Sequence, residues 1–221
     1  MKNFNELIGT CKDRECIILG AANSLRIYED QIRYLINDLS LVTIGVNNMT
    51  HLFIPDYHLW VNNGRIKQFN TCIYNTSKLL IGSHILPNNY EKFFEPLNNE
   101  KFKVNYTDDF NKPNEPICWN NKKNRVEGYY RIGGNLAIML AHLMGFEWTY
   151  VVGFDGYSSP QKGTQHCYGK GYTDSSDMEL EKAKDKQIYY VLKNLKKYGC
   201  NFSIITPTIY KELYLGHLIK T

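Results

Sequence analysis

The segment at residues 131–157, RIGGNLAIMLAHLMGFEWTYVVGFDGY, limits what this chain can fold into more than any other. Leu136, Met139, Leu140 and Leu143 recur at helical spacing after the Gly133-Gly134-Asn135 turn. Gly145 closes that helix, because a left-handed C′ position costs glycine nothing at Cβ. Residues 148–152 then make a short apolar run of the kind a buried parallel strand carries. The run ends at Gly153-Phe154-Asp155-Gly156-Tyr157, where the chain must leave the sheet. Ligands of open α/β sheets bind at the carboxyl ends of the strands, so Arg131 with its glycine turn and the Asp155 loop are expected to border one cleft.

At 221 residues, with 43% apolar and 22% charged side chains, the chain suits one α/β domain with a full core, spanning residues 1–221. The net charge of +4 suits an anionic small substrate and falls short of a nucleic-acid footprint, so no nucleic-acid partner is expected. No apolar stretch reaches transmembrane length and no basic-then-apolar leader opens the chain, so no integral membrane span is expected. Peripheral membrane association and a homo-oligomer stay open. The six cysteines (11, 16, 72, 118, 167 and 200) show neither zinc spacing nor the density of a small secreted scaffold. Reduced thiols in a cytoplasm follow as the expectation.

In chain order, residues 15–20 read as the first strand, breaking at Gly20-Ala21-Ala22-Asn23-Ser24 before a helix with apolar positions from Leu25 to Leu39. Such a turn makes an anion site, since unpaired N–H groups and the helix dipole face it. It is neither GxGxxG nor a Walker loop. Strands at 41–46 and 57–61 end at Asn47-Asn48 and Asn62-Asn63. A side-chain amide there both donates and accepts, which suits a ribose hydroxyl or base edge, although Asn is also a common turn residue. A helix at 65–77, a strand at 79–85, a short helix at 90–97 and a strand at 102–106 follow. Residues 108–128 read as a polar excursion, and the Asp108-Asp109 pair lacks the spacing of a metal-binding Asp-x-Asp.

Residues 157–176 read as a lid loop, since loops this long in a compact domain are commonly lids or binding loops. His166 is its best-placed acid or base, because imidazole titrates near neutral pH. Tyr157, Tyr168 and Tyr172 suit stacking on a sugar or base, or donation to a departing phosphate. Ser176-x-x-Glu179 reads as a capping box for a helix with Ile188, Val191, Leu192 and Leu195 on its core face. A strand at 202–205 and a helix at 210–219 close the chain. His142 reads as a packed residue and His84 as a neighbour of the cleft. No His/Cys/carboxylate cluster has ligand spacing, so no metal is expected.

The series GAANSL, GVNN, WVNN, RIGGNLAIMLAHLMGF, YVVGFDGY and HCYGK resembles the order of motifs in the bacterial family 42 sialyltransferases. It is also similar to the wider group holding flagellin-glycosylation accessory factors and the archaeal hydroxymethylpterin pyrophosphokinase. The resemblance implies a Rossmann-like fold, a mainly parallel sheet with helices on both faces. It implies that Gly20, Asn23, Ser24, Asn47 and Asn62 contact a cytidine monophosphate sugar or its nucleotide. Arg131, Gly133, Gly134 and Asn135 would lie by the donor with Asp155 and Tyr168, and Tyr157 would support the leaving phosphate. Catalysis would need no metal and no other cofactor. Three departures stand out, one being that the second tyrosine of the phosphate-leaving pair has no clear counterpart. Lys170 occupies the place of the catalytic histidine, so either His166 takes over, Lys170 serves electrostatically, or the reaction is not catalysed. Gly134 stands where a serine is expected.

The expectation is metal-independent glycosyl transfer from a nucleotide-activated sugar, sialic-acid-like and CMP-linked, to a glycan acceptor in surface polysaccharide synthesis. The alternatives are diphosphate transfer to a pterin-like alcohol, with ATP and Mg²⁺ held by carboxylates such as Asp155 and Asp174, or nucleotide binding without turnover.

Overall fold

The structure, a computed structural model, describes residues 1–49, 52–107, 115–158, 165–169 and 177–216. The chain opens with β1 (Lys2–Asn3), a 3-10 turn at Phe4–Leu7 and β2 (Glu15–Leu19). Helices α1 (Ser24–Ile27) and α2 (Glu29–Asp38) lead to β3 (Val42–Val46) and β4 (Tyr57–Trp60). Then come α3 (Asn63–Phe69), β5 (Lys78–Gly82), α4 (Pro87–Phe93) and β6 (Lys101–Val104). A hairpin of β7 (Cys118–Asn120) and β8 (Arg125–Glu127) precedes α5 (Gly133–Met144), β9 (Trp148–Val152), α6 (Met178–Tyr198) and β10 (Phe202–Ile204).

Eight strands form one sheet in the order β1-β6-β5-β4-β3-β2-β9-β10, and every pairing is parallel. With helices on both faces this is a Rossmann-like α/β domain, as expected. The pleat explains the layers. Along β2, Cys16 and Ile18 face the cluster built with α5 and α6, while Ile17 and Leu19 face the one holding Leu25 and Ile32 of α1 and α2. On β5, Leu80 joins the first side, and Leu79 and Ile81 pack with Ile66 of α3 and Phe94. Helix α5 is buried on nearly every side from Gly134 to Ala141, as a helix apolar all round must be. It ends at Gly145 with φ +90°, the expected left-handed cap. Among the described residues no helix is long and apolar enough to cross a membrane.

Several expected elements differ. The helix expected after Ser24 is two, broken at Tyr28. The helix expected at 65–77 begins at Asn63, because the Asn62 side chain accepts from Arg65 N–H at 3.1 Å and caps it, and a 3-10 turn ends it at Asn70–Cys72. In place of a solvated excursion, residues 118–127 form the hairpin. Val126 and Ile117 are buried in the main core and Trp119 meets Phe4 edge-on at 6.5 Å, which anchors it. Residues 108–114 lie outside the described residues. Asp177 caps α6 by accepting from Glu179 and Leu180 N–H, and Ser176 of the expected capping box lies outside the described residues. Of the expected helix at 210–219, the described residues form a 3-10 turn at Lys211–Leu213, and residues 217–219 lie outside the described residues.

Candidate functional site

Outward from β2 the chain order reverses: β3 to β6 lie on one side, β9 and β10 on the other. Switch points of this kind open a crevice at the carboxyl ends of the strands. A cavity of about 580 Å³ stands there, lined by the turns that follow β2, β3, β4, β5 and β9.

The structure brings most of the sequence-derived candidates to this wall. Gly20 and Asp155 line it, as do Asn47 and Asn62, the Arg131, Gly133 and Gly134 turn, and Tyr157, His166 and Tyr168. Three candidates are not on the wall. Asn135 is fully buried and its amide donates to the Tyr130 carbonyl at 2.8 Å. Ser24 is fully buried and Asn23 nearly so. Lys170 and Asp174 lie outside the described residues.

The first turn, expected as an anion site, spends several of its donors within the chain. The N–H groups of Gly20, Ala22 and Ser24 each have an acceptor within the chain. Ser24 donates its backbone N–H to Asp155 Oδ2 at 2.9 Å and its hydroxyl to Asp155 Oδ1. Thr206 Oγ1 lies 3.1 Å from the Ser24 hydroxyl and accepts from Gly153 N–H. Helix α1 also spans four residues only, too short for much of a dipole. Burial pushes the Asp155 carboxyl up to about 6, with the Ser24 hydrogen bonds drawing it back.

The start of α5 is different. Ile132 provides no side-chain cap, so the glycine turn presents uncapped N–H groups to the cavity. Arg131 beside it has φ +64°, rare for a residue with a Cβ, and its buried Nε has no hydrogen-bond partner among the described residues. Asn48 lines the same wall at 1% exposure, and its buried Nδ2 likewise lacks a partner there. Buried donors left unmade in a cavity wall are costly unless a ligand or water meets them.

The two Asn candidates carry structural duties as well. Asn47 is left-handed at φ +53°, and its Oδ1 accepts Val61 N–H at 3.3 Å. Its carbonyl faces His58 Nε2. A carbonyl only accepts, so that nitrogen carries the proton. Burial holds His58 neutral, lowering it to about 4. Asn62 Oδ1 is the α3 cap.

Opposing carboxylate and aromatic groups set the loop after β9. Asp185 on α6 accepts from Tyr157 N–H and Ser158 N–H, each at 2.8 Å, and from the Tyr210 hydroxyl at 3.1 Å. Burial raises the Tyr157 phenol, with Arg131 drawing it down and Glu181 adding to the rise. His166 meets Tyr157 edge-on at 6.2 Å and stacks on Tyr168 at 4.7 Å. The strap at 165–169 is pinned to the first turn: Cys167 N–H donates to Ala21 at 2.9 Å, and Arg26 Nε donates to the Cys167 carbonyl at 2.6 Å.

Gly134, where the resemblance led to a serine, has a physical reason. A Cβ there would overlap the Phe154 ring, so that ring fills the space a side chain needs. Sequence reading missed Arg65, Tyr106, Tyr130 and Lys184, all on the wall. Arg65 was findable, in the first turn of the helix that Asn62 caps. Lys184 sits mid-helix on α6 with nothing local to mark it. Among the described residues no group of three or more His, Cys, Asp or Glu side chains is placed to hold a metal ion. No protein-family model matches the sequence, and no curated protein matches it.

Proposed function

We propose that the protein is a cytoplasmic, metal-independent glycosyltransferase that moves a CMP-linked, sialic-acid-like sugar to a surface glycan, akin to the family 42 sialyltransferases. The observation that carries this reading is the meeting of Asn47, Asn62 and Arg131 with the uncapped α5 start in one cavity. Uncapped N–H groups and a guanidinium suit a phosphate, and side-chain amides suit a neutral ribose or base edge. Two carbon–oxygen events make up the transfer. An acceptor hydroxyl attacks the anomeric carbon and yields its proton to His166. The bond from that carbon to the phosphate oxygen breaks, and its electron pair stays on the phosphate. Tyr157, kept protonated by burial, donates to that oxygen, and Arg131 offsets its charge.

The pyrophosphokinase alternative draws less support. Both oxygens of Asp155 already accept from Ser24, which leaves that carboxylate a poor ligand for Mg²⁺. Thermal shift with CMP, CDP and ATP, each with and without Mg²⁺, separates the readings. Metal-free stabilisation by the cytidine nucleotides supports the transferase. Stabilisation by ATP with Mg²⁺ alone supports the kinase. Binding of CMP with no transfer, and no loss in His166→Ala, would leave a nucleotide-binding protein.

A further inference from the structure

Helix α6 turns Glu181, Lys184, Asp185 and Ile188 to one side, at the spacing of a helix face. Lys184 and Ile188 line the cavity, and Asp185 holds the Tyr157 loop. Glu181 lies behind them at 1% exposure, accepting from Lys184 Nζ at 2.9 Å. Lys184 Nζ is 5.3 Å from the centre of the Tyr157 ring. A buried carboxylate is tolerable only when paired, so Glu181 fixes the ammonium at the wall rather than letting it swing into water. Its Oε1 takes the Lys184 ammonium, and its Oε2 has no hydrogen-bond partner among the described residues. An ammonium has three donors and Glu181 takes one, which leaves donors for the cavity.

We infer that Lys184 is a phosphate-contacting residue, donating to the ligand phosphate beside the Tyr157 hydroxyl, with Glu181 as the residue that positions it. This rests on the nucleotide reading and extends it to a residue outside the glycine turn. Tyr157 supplies a neutral donor. Lys184 adds a full charge on the same side, and a glutamate-held lysine is a recurrent device for gripping phosphates.

The test titrates wild type, Lys184→Met, Glu181→Gln and the double variant with CMP, cytidine and inorganic pyrophosphate, following binding by NMR. Wild type should prefer CMP over cytidine. Lys184→Met should reduce that preference about tenfold, the worth of one charge-assisted hydrogen bond, with cytidine affinity unchanged. Glu181→Gln should reduce it less. A purely structural effect would weaken both ligands alike and leave the ratio intact, and that result overturns the inference. Should Lys184→Met fail to fold around an unpaired Glu181, the double variant, which removes both charges, gives the same ratio test. If wild type binds neither CMP nor cytidine, the nucleotide reading fails separately and pyrophosphate decides. Pyrophosphate binding weakened by Lys184→Met keeps the residue as an anion contact; unchanged or absent binding overturns it.

Discussion

The carboxylate of Asp185 holds the backbone N–H of Tyr157 at 2.8 Å. The same group takes Ser158 N–H and the Tyr210 hydroxyl, so three donors from two distant segments depend on one side chain of α6. Asp185→Ala strands those donors in a buried setting. It should cost about 2–4 kcal/mol in urea unfolding, and it should weaken nucleotide binding by loosening the Tyr157 loop. Unchanged stability would show that water replaces the carboxylate without loss.

Asp155 gives a pH signature. Its folded value of about 6 lies above the ordinary 3.8, so the folded state holds a proton that the unfolded state has released across that window. The contribution is fully present below pH 4 and is lost as pH rises to about 6. At about 1.4 kcal/mol per pH unit it amounts to roughly 3 kcal/mol. Wild type should therefore lose stability relative to Asp155→Asn between pH 4 and 7. Urea unfolding of the two proteins at both pH values measures it, and a constant difference would refute the shift.

His58 titrates in the opposite sense. Its folded value of about 4 lies below the ordinary 6.5, so the unfolded state gains a proton first as pH falls. Stability from neutral His58 is complete above pH 6.5 and is lost on acidification toward 4, on the order of 3 kcal/mol. Against His58→Gln, wild type should weaken more steeply over that window. The effect reaches the site because the ring supports the Asn47 carbonyl.

Much of this was legible in the sequence, and what was not has a common cause. The α5 to β9 unit is written in contiguous residues: apolar spacing, a terminal Gly145 and an apolar strand suffice. The Asn turns were legible because strand ends declare themselves locally. The capture of Ser24 by Asp155 was not, since it joins positions 131 residues apart. Strand β1 was hidden for a similar reason. Its two residues carry no pattern of their own and exist only by pairing with β6. The β7–β8 hairpin was masked by a polar run that turned out to be its turn, with Asn120 Oδ1 accepting from Lys123 N–H and Asn124 left-handed at φ +56°.

Gly134 and Phe154 make a coupled pair. Gly134→Ser pushes a side chain into the Phe154 ring and should cost roughly 1–3 kcal/mol. Combined with Phe154→Ala, the serine should cost much less than it does alone, giving a favourable coupling energy in a double-mutant cycle. Additive costs would mean that the ring moves aside freely.

The most direct test of the central claim is a crystal structure with CMP soaked in and EDTA present. The account predicts CMP in the cavity at the switch point, its phosphate within about 3 Å of the Gly133 and Gly134 N–H groups and Arg131, and its nucleoside beside Asn47 and Asn62. A crystal that binds CMP elsewhere, or leaves this cavity without it at saturating concentration, would contradict the account.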